Sequence, residues 1–397
     1  MAHLKFRNVN DAFSSLVHVF ARKDSQLRRI PHSTLPIAEV TTRNGPVLQI
    51  VEPVIVSYSH STERVLFNQA RDANPFFHLY ESLWMLAGRN DIAPLDYYLG
   101  GRYSQFSDDK TTANGAYGYR WRKANPHQHW KTSSEQEIQY TDQLAVIVAH
   151  LKKKPEDRRC VLQMWNVQDD LLKMETSKDV CCNLCALFLI RVVPNPPEMK
   201  GLDRRFLDMT VMNRSNDLAN GMLGANVVHF SFLHEYMAAQ LDVEVGVYNQ
   251  ISNNLHIYTE SFGGFPAEKW LADETPNYYG FADNDPTETP LTLKMVPLVK
   301  DPVAFDQELP EVVNAFNGAE TLARVVPRFS EPFFEDVASP MLMAFRQHKN
   351  RDYEAALFWI NNVLADDWRI TSRNWILKRQ KNWEEKQRGI STSPNEG

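Results

Sequence analysis

The chain has 397 residues, of which 43% are hydrophobic, and its 43 basic and 49 acidic side chains give a formal net charge of -6. This length can bury a large core, in one big domain or in two ordinary ones. The acidic balance argues against a general nucleic-acid-binding surface, although a local basic pocket can still bind a small anion.

Neither a targeting signal nor a disulfide framework is indicated. No apolar run approaches the roughly 20 residues that span a bilayer, and the N-terminus MAHLKFRNVNDAF lacks the apolar segment of a signal peptide. Three of the four cysteines, Cys181, Cys182 and Cys185, crowd into five residues, which favours reduced thiols. We therefore expect a cytoplasmic protein.

The first third of the chain predicts helices. An amphipathic helix is expected over 9–22, and another over 137–152. Between them, PFFHLYESLWMLAG (75–88) predicts a helix that begins at Pro75 and stops at Gly88. That helix is apolar on most faces, so Glu81 is expected in the interior or on the wall of a cleft.

Strand-like runs follow in the middle of the chain. They are CVLQMWNV from 160, NLCALFLIRVV from 183 and RFLDMTVMNRS from 205, and the last two predict a hairpin around the loop PNPPEMKG. Helical spacing returns over 227–241 and strand character over 243–251. The predicted helices and strands do not alternate regularly as βαβ units. The sequence therefore predicts an α+β fold.

The C-terminal part divides into a loop-rich and a helical region. Residues 262–310 are rich in Pro, Gly, Asn and Asp and predict loops, whereas 311–389 predicts several helices that carry Trp359, Trp368, Trp375 and Trp383. These tryptophans are interpreted as core residues. The last residues, GISTSPNEG, predict disorder.

The sharpest local feature is DVCCNLCALFLI (179–190), where two cysteines precede a strongly apolar strand. Reactive groups are often displayed at such a strand end, but a free cysteine can equally be a small core residue. A redox pair of Cys182 and Cys185 is disfavoured because residues three apart on a strand point to opposite faces. A zinc site would need further Cys or His ligands at suitable spacing, and none is evident.

Arginines lie near several strand ends or turns. Arg158 and Arg159 precede one strand, Arg214 ends another beside Ser215, and Arg43 lies in the turn-like TTRNG. Their forked guanidinium groups could converge on one phosphate. Taken singly, each could also be a solvated surface charge.

A run of amides and glycines, NRSNDLANGMLGANVVHF, precedes the helix at 227–241. An Asn side chain offers a donor and an acceptor, so Asn216, Asn220 or Asn226 could read the edge of a base. Helix capping is the alternative for Asp217 and Asn220, but it explains the whole run less well.

These segments, in this order, resemble the thymidylate synthase family over roughly residues 35–260. The motifs that carry the resemblance are FHLYESLWMLAGRND, GAYGYRWR, DRRCVLQMWN, the cysteine before the long strand, NRSNDLANGMLGAN and NNLHIY. The resemblance implies a single catalytic domain, 1–397, of the thymidylate synthase-like mixed-sheet type with flanking helices. It also implies a homodimer packed through its large sheets, with 262–397 as a divergent helical C-terminal extension. The extension could be a lid, a larger dimer surface or a contact to other proteins.

Site roles follow from the resemblance, position by position. Cys182 matches the thiolate that adds to C6 of a pyrimidine nucleotide, so that C5 can attack the one-carbon unit of 5,10-methylenetetrahydrofolate. The resemblance also assigns a proton-transferring carboxylate, a tyrosine beside the nucleophile and an aspartate that contacts the folate, namely Glu81, Tyr117 and Asp217. Arg214 is expected to help lower the pKa of the thiol.

Substrate-binding roles follow in the same way. Arg43, Arg214 and Ser215 match the phosphate site, and Arg158 and Arg159 match arginines that reach it from the partner subunit. His256 and Tyr258 match the pair that binds the sugar hydroxyl. Asn226 matches the amide that reads the base, which favours dUMP, because an amide can accept from N3–H and donate to O4 of uracil. A flipped amide could still pair with cytosine, so a dCMP substrate stays open.

The chain departs from typical synthases at two places. Cys181 and Asn183 flank the nucleophile where the synthases have Pro and His. Tyr103 and Phe106 stand where two folate-binding tryptophans are usual, one of which screens the methylene intermediate. Loss of that screen favours capture by water and a 5-hydroxymethyl product, as in the phage hydroxymethylase branch, which the CNL and RSND…GAN…HFS patterns also resemble.

Other hypotheses remain open from the sequence. The product could be dTMP, as in a true synthase, with release of dihydrofolate. The chain could also be a catalytically inactive nucleotide-binding relative, or a thiol-redox or zinc protein built on the three clustered cysteines. We favour hydroxymethylation of dUMP for the synthesis of modified phage DNA.

Overall fold

The computed structural model describes residues 1–21, 35–130, 136–195, 203–280, 293–318 and 327–389. The strands of these residues, in chain order, are β1 (Ala2–Phe6), β2 (Ile37–Thr42), β3 (Gly45–Ile50), β4 (Val54–Tyr58), β5 (Ala124–Trp130), β6 (Gln136–Thr141), β7 (Val161–Gln163), β8 (Asn183–Val193), β9 (Arg204–Asn213), β10 (Asn216–Asp217), β11 (Glu244–Ser252) and β12 (Leu255–Tyr258). The helices are α1 (Val9–Ala21), α2 (Pro75–Leu86), α3 (Ala93–Leu99), α4 (Tyr117–Arg122), α5 (Gln143–Lys153), α6 (Asn226–Leu241), α7 (Ala267–Leu271), α8 (Pro302–Ala315), α9 (Ser339–Lys349), α10 (Tyr353–Asn361) and α11 (Asp366–Gln387).

A mixed six-stranded sheet forms the centre of the fold. Its order is β1-β4-β11-β9-β8-β7, with β1/β4 and β11/β9 parallel and the other pairs antiparallel. A smaller sheet has the order β10-β12-β3-β2, and β5 pairs with β6. Helices cover the central sheet, so the expected α+β class with a mixed sheet is confirmed.

The predicted hairpin of the long strands is present and positions the site. β8 and β9 pair antiparallel from Asn183↔Asn213 to Val193↔Arg204. This register places the residues just before β8 beside those just after β9. Most of the predicted loop between the two strands lies outside the described residues.

Helix α2 forms where the sequence predicted it, because its two ends are well defined. The Asn74 side chain accepts hydrogen bonds from the backbone N–H groups of Phe76 and Phe77, each at 3.1 Å, and Pro75 occupies the first turn. Gly88, at φ +68°, follows the end of the helix. Every α2 residue except His78 is buried, so the helix carries Glu81 into the interior.

Three predicted boundaries are wrong. The segment expected as a helix over 137–152 begins with β6 and becomes α5 only after Asp142, whose side chain accepts from the backbone N–H of Ala145 at 3.0 Å. Of the run from Cys160, only β7 is strand. The region 262–310 contains α7 and the start of α8, where Asp301 caps the helix and Pro302 occupies its first turn.

The C-terminal helices pack directly on α2. The ring of Phe76 lies 5.4 Å from the rings of Phe345 and Trp375, and the Tyr80 hydroxyl donates to the carbonyl of Val313 at 2.9 Å. Trp368 and Trp375 are buried, whereas Trp359 and Trp383 are partly buried against the same core. The predicted disorder of the last residues falls outside the described part of the chain, apart from Gly389.

None of the described helices combines the length and the apolar character that crossing a bilayer requires.

Candidate active site

Cys182 lies at the mouth of the β8–β9 hairpin, beside Arg214. The hairpin joins the Arg214 N–H to the Cys182 carbonyl at 3.0 Å. Arg214 also reaches back with its side chain, donating to the carbonyls of Cys181 at 2.9 Å and Val180 at 2.8 Å, and its Nη2 lies 3.6 Å from Cys182 Sγ. A guanidinium group is therefore held in place against the sulfur.

The electrostatic balance at Cys182 differs in part from the sequence prediction. Burial raises the pKa of the Cys182 thiol above its ordinary value, while the charge of Arg214 lowers it and the carboxylates of Asp179, Asp170 and Asp217 raise it further. Arg214 thus acts in the predicted direction, but burial is the larger effect and the pKa of Cys182 is not lowered overall. The neighbouring Cys181 is fully buried, which raises the pKa of its thiol strongly.

A buried ion pair supports the segment 177–182, which we call the cysteine loop, and the sequence analysis missed this pair. Asp170, with 0% of its surface exposed, pairs with Arg120 and accepts from the backbone N–H of Cys181 at 2.8 Å and of Asn166 at 2.8 Å. Arg120 also donates to the Met164 carbonyl at 2.7 Å. The arginine inside GAYGYRWR was the available signal, but its partner 50 residues away could not be identified from spacing.

Tyr117 lies near enough to Cys182 for the charge of one to affect the pKa of the other. Burial raises the pKa of its phenol, and the nearby Cys182 thiolate charge adds to the effect. The tyrosine is positioned by the close approach of α4 to α2, because a Cβ on Gly118 would lie 2.0 Å from the Met85 carbonyl oxygen. The preceding turn is tied to the cysteine loop, since the Gly115 N–H donates to Asp179 at 2.7 Å.

Glu81 faces a histidine that the sequence analysis did not single out. His229 Nε2 lies 3.0 Å from Glu81 Oε2, without the alignment of a hydrogen bond, and the two residues are 2% and 4% exposed. His78 lies one turn before Glu81, and burial together with the charges of His229 and Arg71 lowers its pKa to about 3. The motif HFS in α6 was the available sequence signal for His229, but a histidine in such an apolar helix is typical of an ordinary core residue.

The four candidate phosphate arginines do not all converge within one chain. Arg43, in the β2–β3 turn, donates to the carbonyls of Ser177 and Lys178, each at 3.3 Å, and so joins Arg214 at the cysteine loop. Arg158 and Arg159 are exposed at the start of β7, and Arg159 pairs with Asp157 at 2.5 Å. Val161, just after these arginines, pairs with Leu187 of β8, which lies five residues after Cys182 in the chain. At the usual rise per strand residue, Leu187 and Cys182 are about 16 Å apart, so Arg158 and Arg159 lie far from Cys182 of their own chain.

The amide-rich run closes one side of the site. Asn226, at the start of α6, donates to Asn216 at 3.1 Å. Asp217 accepts from the backbone N–H of Ala219 and from the Asn220 side chain, each at 2.9 Å. The capping interpretation is therefore confirmed for Asp217, whereas Asn220 supports the cap by donating to it. Capping leaves a second role for Asp217 open.

The smaller sheet brings the LHIY pair to the same side. Asp217 and His256 are neighbours in the β10–β12 pairing, and the Asp217 charge opposes the lowering of the His256 pKa by burial. The rings of His256 and Tyr258 lie 5.2 Å apart, and the Tyr258 hydroxyl accepts from Asn44, next to Arg43, at 3.4 Å. Ser215 sits between Arg214 and the start of β10.

The residues at the two expected tryptophan positions form a short helical turn. Burial raises the pKa of Tyr103, and the charges of Glu81 and Asp179 add to this. Phe106 is more exposed and lies 6.0 Å from the ring of Phe262, which in turn lies 4.7 Å from Tyr258.

The four cysteines are free thiols. Within the residues that the structure describes, no group of three or more His, Cys, Asp or Glu side chains is arranged to hold a metal ion. Of the residues predicted from the sequence, Arg214, Tyr117 and Asp217 lie near enough to Cys182 for their charges to interact with it.

Comparisons with known proteins agree with this arrangement. The sequence model of the family described as thymidylate synthase matches residues 48–275. A protein named deoxyuridylate hydroxymethyltransferase from Pseudomonas phage M6 is 41% identical over 86% of this chain and 88% of its own length. Another of that name from Bacillus phage SP01 is 36% identical over 57% of this chain and 54% of its own length.

A thymidylate synthase from Vesicomyosocius okutanii subsp. Calyptogena okutanii is 27% identical over 46% of this chain and 60% of its own length. The chain belongs to the thymidylate synthase family. Its similarity to the phage relatives extends further along the chain than its similarity to this bacterial synthase.

Proposed function

We propose that this chain catalyses hydroxymethylation of dUMP at C5, giving 5-hydroxymethyl-dUMP. The observation that carries the proposal is the placement of Cys182 against Arg214 and Tyr117, in a chain that is 41% identical over most of its length to a phage deoxyuridylate hydroxymethyltransferase. The same relatives favour a role in the synthesis of modified phage DNA.

The nucleotide is held at three points in this proposal. Arg43, Arg214 and Ser215 bind the phosphate, since the two arginines already meet at the cysteine loop. His256 and Tyr258 bind the sugar hydroxyl, and Asn226 binds the base edge. Bound phosphate would neutralise part of the arginine charge beside the thiol.

Cys182 and Glu81 have different roles in the proposed reaction: Cys182 is the nucleophile and Glu81 transfers a proton. The Cys182 thiolate adds to C6, which makes C5 a carbon nucleophile. The folate supplies a one-carbon unit at the oxidation level of formaldehyde to C5. C5 then loses its proton and the bond from this carbon to the folate nitrogen breaks, so that tetrahydrofolate leaves and an exocyclic methylene remains on C5. Water adds its oxygen to the methylene carbon, and Glu81 accepts the proton that this water loses. Re-formation of the C5–C6 double bond expels the Cys182 thiolate.

The reduced folate 5,10-methylenetetrahydrofolate fits the residues beside Cys182. Tyr103 and Phe106 supply aromatic surface, and the Asp217 carboxylate lies beside His256 in the β10–β12 pairing. With a tyrosine and a phenylalanine in place of two tryptophans, the reacting carbon is less screened from water. This favours the hydroxymethyl product over a methyl product.

A homodimer with shared active sites belongs to the same proposal. Apolar side chains of β7, β8 and β9 project from the central sheet into solvent, among them Leu189 at 50% exposed. Pairing two such faces would cover them. Arg158 and Arg159, which lie far from Cys182 of their own chain, would then reach the phosphate of the partner subunit.

A single domain over 1–397 is proposed as well, since the C-terminal helices share one core with α2. A cytoplasmic location accords with four free thiols.

One turnover assay tests the reaction. The full chain is incubated with dUMP and 5,10-methylenetetrahydrofolate, and the nucleotide is weighed by mass spectrometry. We expect 5-hydroxymethyl-dUMP and unoxidised tetrahydrofolate. Formation of dTMP with dihydrofolate would replace the proposal by a thymidylate synthase activity, and product from dCMP alone would overturn the substrate.

Exchange of the C5 hydrogen of dUMP with solvent distinguishes an active enzyme from a catalytically inactive nucleotide-binding relative. Labelled dUMP should lose its C5 hydrogen to solvent with the wild type and keep it with Cys182→Ala, because exchange requires attack at C6. Cys185→Ala serves as the matched control and should exchange like the wild type.

A further inference from the structure

A chain of buried amides continues behind Asn226. Asn226 Nδ2 donates to Asn216 Oδ1 at 3.1 Å, and Asn216 Nδ2 donates to Gln250 Oε1 at 3.1 Å and to Ser252 Oγ at 3.1 Å. Gln250 Nε2 donates in turn to the backbone carbonyl of Met222 at 3.2 Å. Asn216, Gln250 and Ser252 are all buried.

The Met222 carbonyl fixes the direction of every bond in this chain. A backbone carbonyl can only accept, so Gln250 must present its NH₂ group to Met222 and its oxygen to Asn216. Asn216 must then present its NH₂ group to Gln250 and its oxygen to Asn226. A flip of any one amide would bring two acceptors or two donors together in a buried place, which is unfavourable.

The local backbone is built to admit these amides. A Cβ on Gly221 would lie 2.6 Å from Asn216 Oδ1 and 3.2 Å from Asn226 Nδ2. Residues Leu218–Ala225 form a π-helical turn, which ends where Asn226 begins α6. Gln250 reaches this turn from β11, so the central sheet and the turn together hold Asn226.

We propose that Asn216 and Gln250 are specificity-determining residues, because they lock the Asn226 amide in the orientation that recognises uracil and rejects cytosine. With Nδ2 directed at Asn216, Asn226 Oδ1 is left to accept from uracil N3–H, and the second N–H of Nδ2 can donate to O4. Cytosine presents an acceptor at N3 and a donor at C4, so both contacts would become repulsive. This inference rests on the proposed function only in placing Asn226 at the base.

The test is the ratio of kcat/KM for dUMP to that for dCMP. Gln250→Met keeps the volume of the side chain and removes both of its amide contacts, and Asn216→Ser interrupts the chain one step closer to the base. We expect the wild type to prefer dUMP by at least about 10²-fold, because a site built to hydrogen-bond one group strongly rejects its replacement. Each variant should lower that preference by about tenfold or more.

Asn249→Ala is the matched control. Asn249 is the neighbour of Gln250 on β11, and its side-chain amide likewise makes two hydrogen bonds, accepting from the Ser57 hydroxyl and donating to the Thr210 hydroxyl. Its loss should leave the dUMP to dCMP ratio at the wild-type value, even if both activities fall. A purely structural role of Gln250 would likewise lower both activities together.

The outcomes are distinct. A wild type that uses dCMP as well as dUMP overturns the inference, as do folded variants that keep the wild-type ratio. If both variants unfold, the Kd values of the wild type for dUMP and for dCMP are measured instead. Equal Kd values would contradict a locked Asn226 amide. Failure of the proposed function has another signature, namely a wild type that forms no 5-hydroxymethyl-dUMP while it still discriminates the two nucleotides in binding.

Discussion

Cys182 is held between two opposing influences, burial and the Arg214 charge. Burial disfavours the thiolate and raises the pKa of the thiol, whereas the guanidinium 3.6 Å away favours the thiolate. The sequence identified both residues, but only their surroundings show that burial is the larger effect. Reactivity should therefore depend strongly on Arg214.

Arg214→Leu should raise the pKa of Cys182 further. At a fixed pH near 8 the thiolate fraction then falls, and alkylation by iodoacetamide slows because only the thiolate reacts. The pH dependence of the alkylation rate measures this, and its midpoint should move to higher pH. Arg191→Leu, which breaks an ion pair with Asp208 near the other end of β8, is the control and should leave the midpoint in place.

Replacement of His229 should affect the step in which Glu81 handles a proton. His229→Gln keeps a donor beside Glu81 but cannot take up a proton, so the rate of nucleotide product formation should fall by about 10²-fold. The affinity for dUMP, measured by calorimetry, should stay close to wild type. His78, with its lowered pKa, and the Tyr103 phenol are the other titratable groups near the pair.

His234→Gln is the matched control on the same helix. His234 is fully buried and hydrogen-bonds to Ser61 and to the Leu207 carbonyl, away from Glu81. Its replacement should lower the melting temperature without changing the pH profile of the reaction. An unchanged rate and pH profile in His229→Gln would show that His229 is a core residue only.

At the scale of elements, the cysteine loop depends on the Arg120–Asp170 pair that joins it to α4. Asp170→Asn leaves the buried Arg120 without a counter-charge and weakens the bond to the Cys181 N–H. We expect a loss of about 3–5 kcal/mol in the free energy of unfolding. Chemical denaturation measures this directly.

The adjacent Asp169 provides the control for that experiment. Its ion pair with Lys173 is half exposed on both sides, so Asp169→Asn should change the free energy of unfolding by less than about 1 kcal/mol. Equal effects of the two substitutions would mean that the loop is held by its backbone contacts and not by the buried pair.

At the scale of the whole molecule, the exposed sheet face should control both assembly and activity. Leu189→Arg places a charge in the proposed dimer contact and should give a monomer by light scattering, with little activity, because the partner arginines are lost. Val146→Arg adds the same charge at an exposed position of α5 and should leave the dimer intact.

Mixing two inactive variants tests the shared site. A dimer of one Cys182→Ala chain and one Arg158→Ala/Arg159→Ala chain has one site with both defects and one with neither. Random pairing should therefore restore about a quarter of the wild-type activity, as expected for a two-fold symmetric pair. No recovery would place the arginine function within each chain or remove it altogether.

Much of this protein follows from its sequence. Capping by Asn74 and Pro75 defines α2, and the two apolar runs define the β8–β9 hairpin, because these signals act between near neighbours. The ordered motifs also identified the family, and they predicted Cys182 as the nucleophile. Where local signals conflicted, as at 137–152, the boundary was wrong, since Asp142 caps a helix inside a segment that looked uniformly helical.

Only the tertiary structure decided the contacts between residues that are far apart in the chain. The pairing of Glu81 with His229, of Arg120 with Asp170 and of Asn216 with Gln250 depends on helix packing and strand register. No local pattern records those arrangements, because each partner alone is compatible with an ordinary core or cap position. The sequence by itself predicted a cysteine nucleophile and an amide at the base, whereas only the packed interior shows that Asn226 Nδ2 is directed at Asn216.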